Sequence, residues 1–212
     1  MTWELQEKKA NLENMKKEAT TAYPINDLAK NRWSPRAFLA KPVEQNKLIS
    51  LFEAARWSAS GGNEQPWRFI LGVNPDATWQ KIFSALDSGN QIWNQNVPVL
   101  ILACGNKISS WDGGISPFFQ YDVGQSIAHL SLEAMHQGLH VHQMGGFSAD
   151  ISRELFDIPE NFAVLTVIAV GYIGNPETLP EKLNQREVQE RTRKDLSEII
   201  FSGKFGENAS IF

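Results

Sequence analysis

The chain is poor in cysteine, has no long apolar run and carries no excess of either charge, and each lack narrows what it can be. One cysteine, Cys104, stands among 212 residues, so neither an internal disulfide framework nor a multi-cysteine metal centre can form. The most apolar stretches, Val97–Cys104 and Ala163–Ile173, are far shorter than the ~20 residues of a membrane-spanning helix. The opening segment, MTWELQEKKANLENMKKE, is charged throughout and lacks the apolar centre of a signal peptide. A soluble, cytoplasmic protein is the expectation. Lys and Arg number 20 against 24 Asp and Glu, a net charge of -4, which leaves no basic footprint for nucleic acid. The glycine patterns GxGxxG, GxxxxGK[ST] and GxSxG are missing too. The dinucleotide fold, the P-loop and the nucleophile elbow therefore lose their signatures.

What is present reads as an ordinary globular chain, 42% hydrophobic and 21% charged, long enough to bury a sizeable core. Seven Trp and 12 Phe call for either a large core or a flat ligand to pack against. Residues 4–20 read as a charged surface helix, and residues 1–22 as an N-terminal helix or extension to a single domain over 23–212. Helical spacing runs through Leu48, Leu51, Phe52 and Ala55, predicting a helix over Val43–Trp57. Strands are expected at Arg68–Val73, Val97–Cys104, His140–Met144 and Ala163–Ile173, and helices at Thr78–Leu86 and Ile151–Phe156. The longest predicted helix is Ser116–Gln137, with Ser116 as N-cap, Pro117 at the first helical position and Gly138 past the end. The first 60 or so residues look nearly all helical and no strict βαβ rhythm follows, which favours an α+β sandwich over a doubly wound parallel fold.

All four histidines lie between His129 and His142. Glu133 and His136 have the spacing of half a di-iron carboxylate site, but no second copy completes it. His140 and His142 share one face of a strand without an accompanying ligand set. No metal is expected, and Cys104, inside an apolar run, reads as an inert core thiol.

Three polar clusters remain. Arg32-Trp33-Ser34-Pro35-Arg36 places two guanidiniums around a hydroxyl; it is either a phosphate grip or a solvated basic turn. Ser58–Trp67 holds paired glycines that allow close approach to a ligand, with amide edges at Asn63 and Gln65; by composition it is equally a tight loop. Arg191-Thr192-Arg193-Lys194 is either a second anion-binding element or a solvated helix neutralised by Glu187, Glu190 and Asp195. Only convergence in space makes the first and third clusters one site.

Taken in order, Arg32-x-Ser34-x-Arg36, ASGGNEQPWRF, Gly89-Asn90 with Trp93-Asn94, Met144-Gly145-Gly146-Phe147 and Arg191-x-Arg193-Lys194 resemble the FMN-dependent nitroreductase family, from about Tyr23 to about Gly206. The resemblance implies a mostly antiparallel central sheet flanked by helices, in intertwined homodimers with FMN in clefts between the subunits. It implies that Arg32, Ser34 and Arg36, with Trp33 beside them, bind the phosphate, ribityl chain and pyrimidine edge. By the same resemblance Arg191 and Arg193 would close on the phosphate and Asn94 would face the pyrimidine edge. Ser60, Asn63 and Gln65 belong to the loop that a neighbouring subunit offers to the ring system. Gly145 and Gly146 form the turn whose N–H faces the hydride-accepting nitrogen. Ala59 stands where the family often has proline, and the leader before Tyr23 is longer than usual. No catalytic side chain is expected, because the flavin carries the chemistry. The implied activity is hydride transfer from NAD(P)H through FMN to an electron-poor acceptor, such as a nitroaromatic or quinone, with ping-pong kinetics. Reductive dehalogenation, flavin-derived benzimidazole synthesis, a non-catalytic FMN store and a flavin-free interaction module are the alternatives.

Overall fold

The computed structural model of the chain describes residues 17–211. Its regular elements run α1 (Asp27–Asn31), α2 (Gln45–Arg56), β1 (Trp67–Val73), α3 (Ala77–Ser84), α4 (Ser88–Asn94), β2 (Val99–Asn106), α5 (Phe119–His136), β3 (His140–Met144), α6 (Ala149–Leu155), β4 (Phe162–Gly171) and α7 (Glu181–Val188). The four strands form one antiparallel sheet in the order β1-β2-β4-β3. The architecture is thus α+β, with helices on both faces.

The two central strands explain the two apolar runs. Successive side chains of a strand point to opposite faces, and both faces of β2 and β4 are covered. Val99, Ile101, Ala103, Ile168 and Val170 pack with residues of α2 and α5 on one side. Leu100, Leu102, Cys104, Val167 and Ala169 pack with Trp79, Ile82 and Trp93 of α3 and α4 on the other. Such strands read as continuous hydrophobic stretches rather than alternating ones.

Local chemistry sets several element ends. The Asp76 carboxylate accepts from the Trp79 N–H at 2.6 Å and so caps α3, and Ser148 caps α6 through the Ile151 N–H. Gly138, at φ 72°, follows the end of α5 where the backbone turns left-handed. The start of α5 differs from expectation: Ser116 accepts from the Phe118 N–H in a separate turn, Pro117 lies in that turn, and the helix begins at Phe119. The opening 60 residues are also less helical than expected. Residues 32–44 are irregular, tied to the end of β4 by a bridge between Phe38 and Ile173. The charged helix expected over 4–20 lies mostly outside the described residues, and residues 17–20 are irregular. Arg191–Lys194 is not helical either, because α7 stops at Val188. No helix among the described residues is long and apolar enough to cross a membrane.

Candidate functional site: a guanidinium cluster and a glycine turn

An irregular segment must find partners elsewhere for its backbone groups, and residues 32–37 find theirs on β3, α7 and the turn after β4. The Pro35 carbonyl accepts from His142 Nδ1 at 2.8 Å. The Arg36 and Ala37 N–H groups both donate to Glu187 Oε1, at 2.7 and 3.0 Å. The Ala37 carbonyl accepts from the Gly174 N–H at 2.7 Å. Trp33 is 7% exposed, edge-on to His140 and with Lys17 Nζ 4.6 Å above its ring. Its side chain is therefore core packing rather than an open ligand contact. Ser34, by contrast, is exposed.

Segments far apart in the sequence meet here. The Arg191 guanidinium donates from one nitrogen to the Lys17 and Lys30 carbonyls at 2.7 and 2.8 Å, which seats the C-terminal segment beside α1. Burial first, and then the charge of Arg193, lower the pKa of Arg32. Burial, then Arg32 and then Arg193 do the same to Arg191. Three guanidiniums thus lie within electrostatic reach of one another. Among the described residues no carboxylate pairs with any of the three. Of the three acids expected to neutralise Arg191 and Arg193, Glu187 faces Arg36 at 3.8 Å, Asp195 caps the turn at Leu196–Glu198, and Glu190 is exposed. Among the described residues Arg36 is therefore a paired cation, while Arg32, Arg191 and Arg193 have no carboxylate partner and form a cluster suited to an anion.

Past the end of β3, Gly145 is exposed and a side chain there would meet nothing within 4 Å. No hydrogen bond from the Gly145 or Gly146 N–H forms among the described residues. Gly146 is crowded instead, since an added Cβ would lie 2.7 Å from Asn90 Nδ2 and 3.1 Å from Asp87 Oδ2. Those two residues hold the turn: the Gly146 carbonyl accepts from Asn90 Nδ2 at 2.9 Å and from the Asp87 N–H at 3.0 Å. Asn94 lies beneath, fully buried, donating to the Asn90 carbonyl at 2.9 Å and to Met144 Sδ at 3.2 Å, with its Oδ1 unpartnered. It supports the turn from within and is closed off from the surface in this chain.

The loop 60–65 is placed elsewhere. It enters β1 at one edge of the sheet, whereas Gly145 leaves β3 at the opposite edge. Ser60 Oγ accepts from the Gln65 N–H, and Gln65 Nε2 donates to Asn63, so these three predicted residues gather with one another. The Gly61 N–H donates to the buried Asp122 carboxylate at 3.1 Å. Gly62 at φ 56°, Asn63 at 58° and Gln65 at 45° are all left-handed, the region that glycine tolerates best. Trp111 lies over Gly62, and beside them opens a cleft of about 320 Å³ with Ile115 and Phe118 on its wall. A single copy of the chain does not join this loop to the guanidinium cluster.

Burial, with Arg32 adding to it, lowers His140 to about 4, and burial also lowers His142 to about 4, so both are neutral near pH 7. Cys104 is buried and pushed up to about 11. Among the described residues no group of three or more His, Cys, Asp or Glu could hold a metal. Sequence reading missed Glu187 and Asp87 as organisers. Glu187 looked like one more acid in a charged tail, and only its burial at 1% exposure marks it out.

Fold and site together define an α+β protein in which a guanidinium cluster lies within electrostatic reach of the start of the edge strand β3 and an open glycine turn follows its end. Comparison with known proteins agrees. The model of the nitroreductase family matches residues 29–91. The crystal structure of an FMN-containing oxidoreductase is 33% identical, covering 89% of this chain and 96% of that one with a TM-score of 0.84. A nitroreductase family protein of Clostridium difficile 630 is 30% identical, covering 86% of this chain and 99% of that one with a TM-score of 0.67. The major NAD(P)H-flavin oxidoreductase of Aliivibrio fischeri is 31% identical over 90 residues, 41% of each chain. The chain belongs to the nitroreductase family.

Proposed function

We propose that this chain is an FMN-dependent oxidoreductase that takes a hydride from NAD(P)H and delivers it to an electron-poor acceptor such as a nitroaromatic or quinone. The observation that carries the reading is the cluster of Arg32, Arg191 and Arg193, which no carboxylate among the described residues pairs, together with the open Gly145 turn past the end of β3. A half-buried guanidinium with no acid partner is costly unless a ligand completes it, and a phosphate ester does so with charge-assisted bonds. The residues fit FMN at both ends. The guanidiniums suit its phosphate, and a glycine with free space where a side chain would project lets a flat ring approach the backbone.

When bound, FMN supplies the two-electron hydride chemistry, as cofactors do. The chain's own residues grip, orient and tune. Arg32 and the Arg191–Arg193 segment would hold the phosphate end, and the exposed Ser34 hydroxyl would be available to the polyol. The Gly145 and Gly146 N–H groups, which bond to nothing among the described residues, would supply a fixed dipole where negative charge builds up on the bound flavin, a preorganised stabilisation. Asp87 and Asn90 keep that turn from relaxing. Because Ser60, Asn63 and Gln65 sit at the far sheet edge, the reading takes them from a second copy of the chain, which makes the working unit a homodimer.

The test is direct. Purified protein supplied with FMN should turn yellow and retain the flavin through gel filtration as a dimer, and anaerobic NADH or NADPH should bleach it. An acceptor added afterwards should restore the colour. Colourless protein after FMN loading defeats the proposal, and yellow protein inert to both nicotinamides indicates a flavin store instead.

A further inference from the structure

Helix α7 is mostly polar, with Leu183 packed partly against the core, and its only buried residue is a carboxylate, Glu187. An apolar residue of similar size would fill that place at less electrostatic cost, so the carboxylate must do something a hydrocarbon cannot. Its Oε1 accepts from two consecutive backbone N–H groups, those of Arg36 and Ala37. Two donors converging on one oxygen fix the orientation of the peptide between them. They thereby fix the direction in which the segment from Arg32 to Arg36 presents its side chains. The Glu187 carbonyl meanwhile accepts from Lys17 Nζ at 2.6 Å, and four residues further on Arg191 holds the Lys17 and Lys30 carbonyls. One short strap therefore delivers Arg191 and Arg193 and sets the loop that delivers Arg32.

We propose that Glu187 is a positioning residue for phosphate recognition: through the Arg36 and Ala37 N–H groups it holds the two halves of the guanidinium cluster in register. The proposal rests on the FMN reading above. It assigns Glu187 no contact with the ligand. It also separates what its acceptor oxygen does from what its charge does. The charge opposes an incoming phosphate, whereas the acceptor geometry prepares the site for it.

The dissociation constants of FMN and riboflavin, measured by flavin fluorescence quenching for the wild type, Glu187→Gln and Glu187→Asp, test this. The ratio of the two isolates the phosphate end, since the ligands differ only there. Glutamine keeps an oxygen at the same reach and should preserve the wild-type preference for FMN within about threefold. Aspartate keeps the charge but is one methylene short; it should lower that preference tenfold or more while riboflavin binding moves less than threefold. Equal weakening of both flavins by aspartate means a merely structural role and overturns the proposal, as does an unchanged ratio. Loss of the preference in the glutamine variant overturns it alone, whether or not the aspartate variant folds. A wild type that binds riboflavin as tightly as FMN refutes the FMN reading instead, independently of either variant.

Discussion

Replacing Arg32 by alanine should move ligand affinity and apo stability in different directions, a separation that a purely structural arginine would not produce. Without ligand, Arg32 lies half-buried with Arg191 and Arg193 as electrostatic neighbours. No acid among the described residues compensates it. Removal relieves like-charge repulsion and desolvation but gives up packing of the aliphatic stem. The net change in apo stability should be zero or a gain of up to about 1 kcal/mol, within the range of substitutions away from core and caps. Binding should suffer by about 1.5–3 kcal/mol, the worth of hydrogen bonds to a charged group, which is roughly a 10- to 150-fold rise in the dissociation constant of FMN. A thermodynamic signature follows. At FMN equal to 100 times the wild-type dissociation constant, ligand stabilises the wild type by about 2.7 kcal/mol. A variant binding thirtyfold more weakly keeps about 0.9 kcal/mol of that. Urea unfolding of both proteins with and without FMN reads all four quantities. A variant that loses more than about 1 kcal/mol of apo stability and still binds FMN normally would refute the argument, because Arg32 would then be a structural cation.

Acid should destabilise the fold through the two histidines of β3. His140 and His142 titrate at about 4 in the folded chain against ~6.5 unfolded, so the unfolded chain takes up protons first. Stability is unaffected above about pH 7, falls as the pH drops from 6.5 toward 4, and has lost this contribution fully below 4. At pH 5 the loss is at most about 2 kcal/mol for each histidine by that linkage. Urea midpoints of the wild type and of His140→Phe between pH 7 and 5 check it, and identical pH slopes in both would exclude His140 as a source. Gly62→Ala should cost about 1–2 kcal/mol, because φ is 56° there and L-residues pay roughly that in the left-handed region. The new methyl would lie 2.7 Å from the Trp111 indole and turn it outward. A red-shifted emission absent from Gly62→Ala/Trp111→Phe would identify that ring, and an unchanged midpoint would contradict the strain argument.

Much of the fold was legible because its elements carry local signals. The apolar runs at Val97–Cys104 and Ala163–Ile173 became the doubly covered strands β2 and β4. The spacing of Leu48, Leu51 and Ala55 became the buried stripe of α2. Where reading failed, a longer-range contact overrode the local one. Ser116 and Pro117 look like a helix start, yet Ser116 donates its N–H to the Lys107 carbonyl, closing a loop that holds both outside α5. Trp33 and Asn94 sit within family-like motifs, and neither reveals in sequence that it is buried.

Chain chemistry by itself determined which groups are available: permanently charged guanidiniums at both ends, paired glycines able to adopt conformations other residues avoid, and too few thiols for a metal centre. Spacing along the chain says nothing about whether residues 32 and 191 come within reach of each other, since that depends on how the sheet and its straps close. Tertiary structure decided it by burying the Glu187 carboxylate against one end of the site and hooking Arg191 onto the Lys17 and Lys30 carbonyls at the other. The reason is energetic. A buried acid and unpaired backbone groups must find partners, and the partners they find bring the cations together.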